Sequence, residues 1–177
     1  MLDNKIKVGI IDLGINNIHS IVNAYILIGC NVKVISKKEN LLKYNIVVLP
    51  GVGSFKSAIK KLMDMKIIFE IKNFLEKNSN NILVGICLGM QLFFDESLEF
   101  GYTKGLDLIG GKVKKFKKKS KFFKIPHVGW NNLIKINHKF IPEYVINDKY
   151  YFTHSFYCSP KDKKVIHTNT SYFGKSF

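Results

Sequence analysis

Gly85-Ile86-Cys87-Leu88-Gly89 lies between an apolar run that begins at Asn81 and a short amphipathic helical pattern, Leu88 to about Asp95. Glycines on both sides of a central nucleophile allow a sharp, strained strand-to-helix turn that exposes the nucleophile. The start of the helix favours the thiolate of Cys87, and the Leu88 N–H is placed to donate to an oxyanion. The alternative is a buried cysteine beside packing glycines, and the pentapeptide alone leaves both interpretations open.

A second glycine-containing segment, Pro50-Gly51-Val52-Gly53, directly follows an apolar run. Because glycine has no side chain, this backbone can approach a ligand closely, and its N–H groups could complete an oxyanion hole facing Cys87. Taken alone, the segment is better explained as a plain strand-to-helix turn. The sequence contains no P-loop and no complete dinucleotide fingerprint, so nucleotide binding has no support.

The first half of the chain alternates apolar runs with helical patterns. Helical spacing begins at Ile18, with Asn16 or Asn17 as the cap and Gly29 as the stop, and again after Ser54, to about Lys77, as one helix or two. The apolar runs predict strands at Ile6–Ile11, Val32–Ile35, Ile46–Leu49 and Asn81–Ile86. This order predicts an α/β fold of three layers, a mostly parallel sheet with helices on both faces.

After Gly101 the pattern changes to short strand-like pieces separated by glycines. We interpret these pieces as antiparallel additions to the same sheet rather than a second domain. The candidate strands are Asn132–Ile136, Lys149–Tyr157 and Lys163–Thr168. No internal repeat or linker is present, so residues 1–177 are predicted to form a single domain.

The net charge of +15 comes entirely from lysine, because the chain has 28 lysines, 13 acidic residues and no arginine. Such a charge attracts polyanions, but base recognition and bidentate phosphate binding depend on arginine. The segment Lys112–Lys124 carries most of the excess charge and has phenylalanines between its lysines, a pattern that could suit base stacking. We favour a lysine-rich loop or hairpin whose phenylalanines pack inward, and expect no specific nucleic-acid binding.

Cysteine is sparse, and the three residues Cys30, Cys87 and Cys158 form no C-x-x-C pair. Neither a disulfide framework nor a zinc site is indicated. No apolar run approaches the roughly 20 residues that span a bilayer, and the N-terminus lacks a signal-peptide cleavage site. We therefore expect a cytoplasmic protein with no membrane association and no metal.

Together, several segments resemble the class I (triad) glutamine amidotransferases, most closely the glutaminase subunits of imidazole glycerol phosphate synthase. The resemblance covers essentially the whole chain, and the histidine-containing segments are more specific than the turn around Cys87. The segments are Ile10–Gly14 with Asn17 and Ser20, Leu49–Phe55, Gly85–Leu92, Gly105-Leu106 with Ile109, Ile125–Asn131 and Tyr151–Phe156.

This resemblance implies a glutaminase in which Cys87 attacks the side-chain amide of glutamine and forms a glutamyl thioester. It places the oxyanion on N–H groups of Gly51, Val52, Gly53 and Leu88. It assigns substrate contacts to Gln91, His154, Ser155 and Phe156, and it assigns the partner interface and ammonia gate to Asn17, Trp130 and Tyr151. The implied partner is a (β/α)8 barrel cyclase in a heterodimer that consumes the ammonia, and no cofactor is implied.

One element of the family pattern is missing from residues 1–177. A triad thiol needs a histidine base oriented by a carboxylate, and this family takes both from a histidine-proline-glutamate segment near the C-terminus. No His-x-Glu occurs in the sequence, which ends in Tyr172–Phe177. We expect the chain to lack its closing strand and helix, and a polypeptide of these residues to have lost most glutaminase activity.

Three functions remain open at this point. The first is the amidotransferase subunit that makes imidazole glycerol phosphate in histidine biosynthesis. The second is a paralogous subunit supplying ammonia to a surface-polysaccharide sugar pathway, a branch that the segment Glu96–Leu106 resembles. The third is a catalytically dead subunit that only docks on the cyclase.

Overall fold

The computed structural model describes residues 5–14, 17–117, 123–135 and 142–177. By their internal contacts, these residues divide into two compact units. Unit 1 covers residues 1–93 and unit 2 covers residues 94–177. The single domain predicted for residues 1–177 stays a prediction.

Unit 1 contains a parallel four-stranded sheet in the order β2-β1-β3-β4. Its strands are β1 Lys7–Ile11, β2 Asn31–Ile35, β3 Ile46–Gly51 and β4 Ile82–Cys87. All four agree with the predicted strands to within two residues at each end. Four of the five β1 residues and five of the six β3 residues are buried, as expected for strands covered on both faces. The predicted α/β class is confirmed.

Two helix boundaries of unit 1 lie where the sequence signals place them. Gly29 has φ +87°, and its N–H and that of Cys30 donate to Ile26 and Tyr25, so that α1 ends in a Schellman motif. Ser54 Oγ accepts from the N–H of Ser57 at 3.3 Å and caps the next helix. The helices are α1 Ile18–Leu27, α2 Phe55–Asp64, α3 Ile68–Lys77 and the single turn α4 Leu88–Gln91, with a 3-10 helix at Leu41–Lys43.

A core cluster of the unit 1 sheet lies under α1. Val8, Ile10 and Val48 are fully buried in it. The apolar side of α1, with Ile18, Ile21, Val22 and Tyr25, packs against this cluster. Since side chains alternate along a strand, Val47 and Leu49 point to the opposite face, and both are also fully buried.

Unit 2 consists mainly of short strands in mixed and antiparallel pairings. One sheet has the order β11-β7-β5-β6, with β5 parallel to β7, and three two-stranded pairs accompany it, β10-β8, β12-β9 and β13-β14. The elements are β5 Phe94–Ser97, β6 Thr103–Lys104, β7 Ile109–Lys115, β8 His127–Asn132, β9 Ile134–Lys135, α5 Glu143–Asn147, β10 Lys149–His154, β11 Phe156–Pro160, β12 Thr168–Asn169, β13 Ser171–Tyr172 and β14 Lys175–Ser176, with a 3-10 helix at Lys163–Val165. The predicted antiparallel strands are confirmed, but the described strands form sheets of their own rather than additions to the parallel sheet.

Two element predictions in the second half were wrong. The helix predicted from Leu88 to about Asp95 ends at Gln91, because Phe94 and the residues after it pair with β7 instead. Lys163–Thr168, predicted as a strand, begins as a 3-10 helix, because the Asp162 carboxylate accepts from the Lys164 N–H at 2.9 Å and offers the backbone a local alternative.

The two other strand predictions had misplaced ends. Lys149–Tyr157 is interrupted at Ser155, where the chain leaves β8 and pairs with β7. The strand predicted at Asn132–Ile136 corresponds to the end of β8 and to β9, and Ile136 lies outside the described residues.

The lysine-rich segment of unit 2 has the inward-packing arrangement that we favoured. Lys112, Lys114, Lys115 and Lys117 are exposed, whereas Phe116 and Phe123 are buried. Residues 118–122 lie outside the described residues, and with them the remaining lysines except Lys124. Within the described residues, no helix has the length and apolar character required to cross a membrane.

Candidate active site

Cys87 lies at the turn from strand β4 to helix α4 in unit 1. It is the last residue of β4 and directly precedes α4. Its φ is +54° and its ψ is −112°, a backbone conformation that non-glycine residues adopt at a cost of about 1–3 kcal/mol. The thiol is free and the residue is exposed. The sequence prediction of a strained turn that presents Cys87 agrees with this geometry.

The glycines around Cys87 provide space rather than conformational freedom. A Cβ on Gly85 would lie 2.6 Å from the Met90 Cα and from the Phe93 ring. A Cβ on Gly89 would overlap the Leu49 carbonyl oxygen and lie 2.7 Å from its carbon. Helix α4 can therefore pack directly on the backbone of the sheet only because both positions lack side chains. The strained φ belongs to Cys87 itself.

Gly51 is the second backbone element beside this turn. Strand β3 extends past the predicted end at Leu49, so that Gly51 becomes the register partner of Cys87. A Cβ on Gly51 would lie 3.0 Å from the Leu88 Cβ and 3.2 Å from the Gly89 N, which shows how close the two backbones are. Val52 and Gly53 follow, both exposed, and Gly53 has φ +93°. The structure therefore brings together Gly51, Cys87 and Leu88.

Two further candidate residues of unit 1 occupy helix ends. Gln91 is the half-buried last residue of α4, one turn beyond Cys87. Asn17 is exposed at the N-cap position of α1, but its side chain makes no capping hydrogen bond. Cys30 and Cys158, the other two thiols, are half-buried. Across the described ranges, no three His, Cys, Asp or Glu side chains are grouped closely enough to hold a metal ion.

The junction between β10 and β11 in unit 2 contains three residues predicted to bind glutamine, His154, Ser155 and Phe156. Strand β10 pairs with β8 and ends with His154 opposite His127, whereas β11 pairs with β7 and begins with Phe156 opposite Lys115. Ser155 is the residue between them. His154 Nδ1 lies 2.8 Å from the Phe156 carbonyl oxygen, and the Phe116 N–H donates to the Ser155 carbonyl at 3.1 Å.

Trp130 and Tyr151 form an aromatic pair on the outside of the β8–β10 ladder. They are register partners, and their ring centroids lie 5.6 Å apart in an edge-to-face arrangement. Trp130 is 69% exposed and Tyr151 is 56% exposed. Two large aromatic side chains left in solvent side by side are typical of an interaction surface.

Comparison with known proteins agrees with this geometry. The family profile described as glutamine amidotransferase class-I matches residues 9–175. The chain belongs to the class-I glutamine amidotransferases.

Amidotransferase relatives cover most of this chain. The imidazole glycerol phosphate synthase subunit HisH of Geobacillus kaustophilus (strain HTA426) is 39% identical over 168 residues, which are 93% of this chain and 79% of that protein. The subunit HisH 1 of Legionella pneumophila (strain Paris) is 35% identical over 179 residues, 96% of this chain and 83% of that protein.

Solved structures support the amidotransferase fold. PurLQS from Thermotoga maritima matches with a TM-score of 0.66 and 20% identity, covering 95% of this chain and 76% of that chain. A solved glutamine amidotransferase matches with a TM-score of 0.58 and 20% identity, covering 72% of this chain and 64% of that one. At this identity the structures establish the fold alone.

His127 has a distinctive environment but was not among the candidate site residues. It is 3% exposed, and its Nδ1 lies 3.0 Å from His154 Nε2. Burial lowers the pKa of His127, with a smaller contribution from the neighbouring His154. Burial also lowers the pKa of His154, against the opposing effect of its bond to the Phe156 carbonyl. The sequence places both histidines in family segments, but their pairing depends on strand register.

Proposed function

We propose that this chain is the glutaminase subunit of an imidazole glycerol phosphate synthase and supplies ammonia for histidine biosynthesis. The observation that carries the proposal is the exposed Cys87 at φ +54° beside Gly51, in a chain that matches the amidotransferase family along its length. The similarity to HisH subunits from two bacteria favours this pathway. We further propose that residues of both units belong to one amidotransferase domain, since the family match spans residues 9–175.

In the proposed reaction, Cys87 is the nucleophile. Its Sγ bonds to the side-chain carbonyl carbon of glutamine, the carbon–nitrogen bond breaks, and the nitrogen leaves as ammonia with the proton that the thiol gave up. Water then cleaves the thioester, which releases glutamate and restores the thiol. The exposure of Cys87 leaves its sulfur accessible for the first bond.

The backbone around Cys87 is suited to the negative charge that forms on the glutamine carbonyl oxygen. We assign this oxyanion to N–H groups of Leu88 and of Gly51, Val52 and Gly53, as the family resemblance implies. The close approach of Gly51 to Leu88 supports this assignment, because donors from two backbone segments then lie near one thiol. Losing one such donor typically reduces kcat by about 10²–10³.

We assign glutamine binding to Gln91, His154, Ser155 and Phe156. Gln91 lies one helical turn after Cys87. The carbonyl groups of Ser155 and Phe156 are both held by hydrogen bonds, so that the backbone between them has a defined shape. A backbone that keeps its shape loses little freedom when it binds a small polar substrate.

The proposed partner is a (β/α)8 barrel cyclase that consumes the ammonia as the other half of a heterodimer. Asn17, Trp130 and Tyr151 are the proposed interface and ammonia-gate residues. The exposed Trp130–Tyr151 pair supports this role, since buried aromatic anchors dominate many protein interfaces. We place the reaction in the cytoplasm, where the three cysteine thiols stay reduced.

Covalent labelling tests the nucleophile without requiring turnover. A glutamine analogue with a diazoketone in place of its amide is expected to add one equivalent to the protein, detected by intact mass, and to Cys87 by peptide mapping. Cys87→Ala should abolish the labelling, whereas Cys30→Ala and Cys158→Ala, which remove the half-buried thiols, should leave it unchanged. Equal labelling of Cys87→Ala and of the native chain would refute the role of Cys87.

Turnover tests the base separately. None of the five histidines of residues 1–177 is followed by x-Glu. We propose that a polypeptide of these residues, assayed with the cyclase, releases glutamate orders of magnitude more slowly than a HisH relative. A comparable rate would mean that another group carries the thiol proton.

The non-catalytic alternative predicts a different result. A chain that docks on the cyclase but is not labelled at Cys87 would be a non-catalytic subunit.

Docking can be followed through Trp130, because it is the only tryptophan of the chain. Titration with a tryptophan-free cyclase should shift its emission to shorter wavelength as the side chain leaves water. Tyr151→Ala should weaken binding by at least tenfold, the typical effect of an aromatic anchor. Tyr144→Ala, which removes an exposed tyrosine of α5, should leave binding unchanged.

The enzyme that accepts the ammonia distinguishes the two pathways. Ammonia transfer only to a nucleotide-sugar enzyme would favour the surface-polysaccharide alternative.

A further inference from the structure

His127 and His154 form a hydrogen-bonded pair whose proton positions follow from a neighbouring carbonyl. The Phe156 carbonyl oxygen can only accept, so His154 must donate to it from Nδ1–H at 2.8 Å. In the neutral ring, His154 Nε2 is then the acceptor. His127 must therefore donate from Nδ1–H across the 3.0 Å contact, which leaves its own Nε2 unprotonated.

These two hydrogen bonds, from His127 to His154 and from His154 to the Phe156 carbonyl, lead to the backbone next to Ser155. The Phe156 carbonyl is held by His154, and the Ser155 carbonyl is held by the Phe116 N–H. Two consecutive peptide groups are thus fixed where the chain changes its partner strand from β8 to β7. The ring of His154 can hold the second carbonyl only as its Nδ1–H tautomer, and His127 supports that tautomer by donating to His154 Nε2.

Aromatic rings hold both imidazoles in place. His127 stacks on Tyr172 with ring centroids 4.1 Å apart and on Phe152 at 5.1 Å. His154 meets the edge of Phe116 at 5.3 Å and lies 5.0 Å from Phe177. Aromatic rings packed at these distances restrict rotation of the His127 and His154 side chains. His127 can therefore present Nδ1 to His154 at little further cost in conformational entropy.

We propose that His127 is a positioning residue for glutamine binding, acting through His154 to set the backbone conformation at Ser155 and Phe156. This inference rests on the proposed function, because it assumes that this backbone contacts the substrate. His127 makes no contact with the reacting atoms in this role. Its loss should weaken binding of glutamine and leave the reactivity of the Cys87 thiol unchanged.

Nuclear magnetic resonance of the histidine nitrogens tests the first step directly. In the native chain, both His154 and His127 should carry their proton on Nδ1 at pH 7.5. His127→Leu should release this constraint and shift the backbone amide signals of Ser155 and Phe156. His127→Asn, whose Nδ2 can replace the Nδ1–H donor, should restore those signals. A proton on Nε2 of His154 in the native chain would overturn the proposal whatever the variants do.

Labelling of Cys87 by the diazoketone analogue tests the second step. His127→Leu should raise the half-saturating concentration of the analogue about tenfold, the usual effect of losing one well-placed hydrogen bond. Its maximal labelling rate and its rate with iodoacetamide should not change, and His127→Asn should behave as the native chain. An unchanged half-saturating concentration would refute the positioning role even if the tautomers are as expected.

The two proposals fail in different ways. If the native chain reacts with iodoacetamide at Cys87 but never with the glutamine analogue, the proposed function is wrong, and the positioning of a glutamine site falls with it. If the analogue labels the native chain and His127→Leu alike, the proposed function stands and only the role of His127 is refuted.

Discussion

The turn at Cys87 and the junction at Ser155 are both abrupt changes in chain direction, but different groups hold them. At Cys87 the constraint comes from backbone packed on backbone, with no room for a Cβ at Gly85 or Gly89. At Ser155 it comes from side chains, two imidazoles and the rings around them. A backbone-packed turn cannot accept one added carbon, whereas a side-chain cluster should lose stability in steps as contacts are removed.

The largest expected effect therefore comes from the smallest substitution, Gly89→Ala. The new Cβ would overlap the Leu49 carbonyl, and a backbone carbonyl inside a parallel sheet has little freedom to move. We expect a loss of more than about 5 kcal/mol in the free energy of unfolding, or no folded protein. Gly110→Ala is the control, since its Cβ would meet only the Lys161 Cδ at 3.6 Å. Thermal unfolding followed by circular dichroism measures both, and equal midpoints would disprove the backbone constraint.

Phe116→Ala tests the side-chain cluster in unit 2. Phe116 is 3% exposed, and its ring lies 5.0 Å from both Tyr157 and Phe177. Removing it should cost about 3–5 kcal/mol, the usual range for a buried phenylalanine. Phe100→Ala, at a side chain that is 83% exposed, should change stability by less than about 0.5 kcal/mol. Urea unfolding gives both values, and a loss below about 1 kcal/mol at Phe116 would show that the rings are not a core.

The contrast between the regions also explains what the sequence could predict. In unit 1, apolar runs alternate with capped helices, so the strands, the Ser54 cap and the Gly29 stop were all predicted. The position of Cys87 followed from local chemistry, because a turn motif needs only neighbouring residues. The close approach of Gly89 to Leu49, in contrast, joins residues 40 positions apart in the printed sequence, so no local pattern predicts it.

In unit 2, the missed features depend on partners distant in the chain. The break at Ser155 arises because β10 pairs with β8 and β11 pairs with β7, and no local pattern distinguishes one long strand from two. The same register places His154 opposite His127, so the imidazole pair could not be inferred from spacing. Short strands with partners this far away carry weak local signals.

Acidification should weaken the side-chain cluster. The pKa values of His127 and His154 are lowered by burial, whereas histidines in the unfolded chain keep the ordinary value of about 6.5. Below that pH the unfolded chain binds more protons, so stability falls as the pH decreases through 6.5, by at most ~1.4 kcal/mol per pH unit for each ring. Above about pH 7.5 the pair contributes no pH dependence.

Unfolding free energies between pH 7.5 and 5.5 measure this effect. The native chain should lose stability over that interval, by no more than the ~1.4 kcal/mol per pH unit that linkage allows for each ring. A double substitution, His127→Asn with His154→Asn, should give a flatter profile, because His19, His138 and His167 remain in both proteins. Parallel profiles would mean that the pair is protonated as readily in the folded protein as in the unfolded one.

The smallest expected effect is at the helix caps, where the sequence predicts the same capping role for Ser54 and Asn17. Ser54 Oγ accepts the Ser57 N–H at 3.3 Å, so Ser54→Ala should cost about 1 kcal/mol. Asn17 occupies the N-cap position of α1 without a side-chain bond, so Asn17→Ala should cost less than about 0.5 kcal/mol. Asn17→Ala should nevertheless weaken docking on the cyclase if its exposed amide belongs to the interface. A loss of stability equal to that of Ser54→Ala, with unchanged docking, would identify Asn17 as an ordinary cap and remove it from the proposed interface.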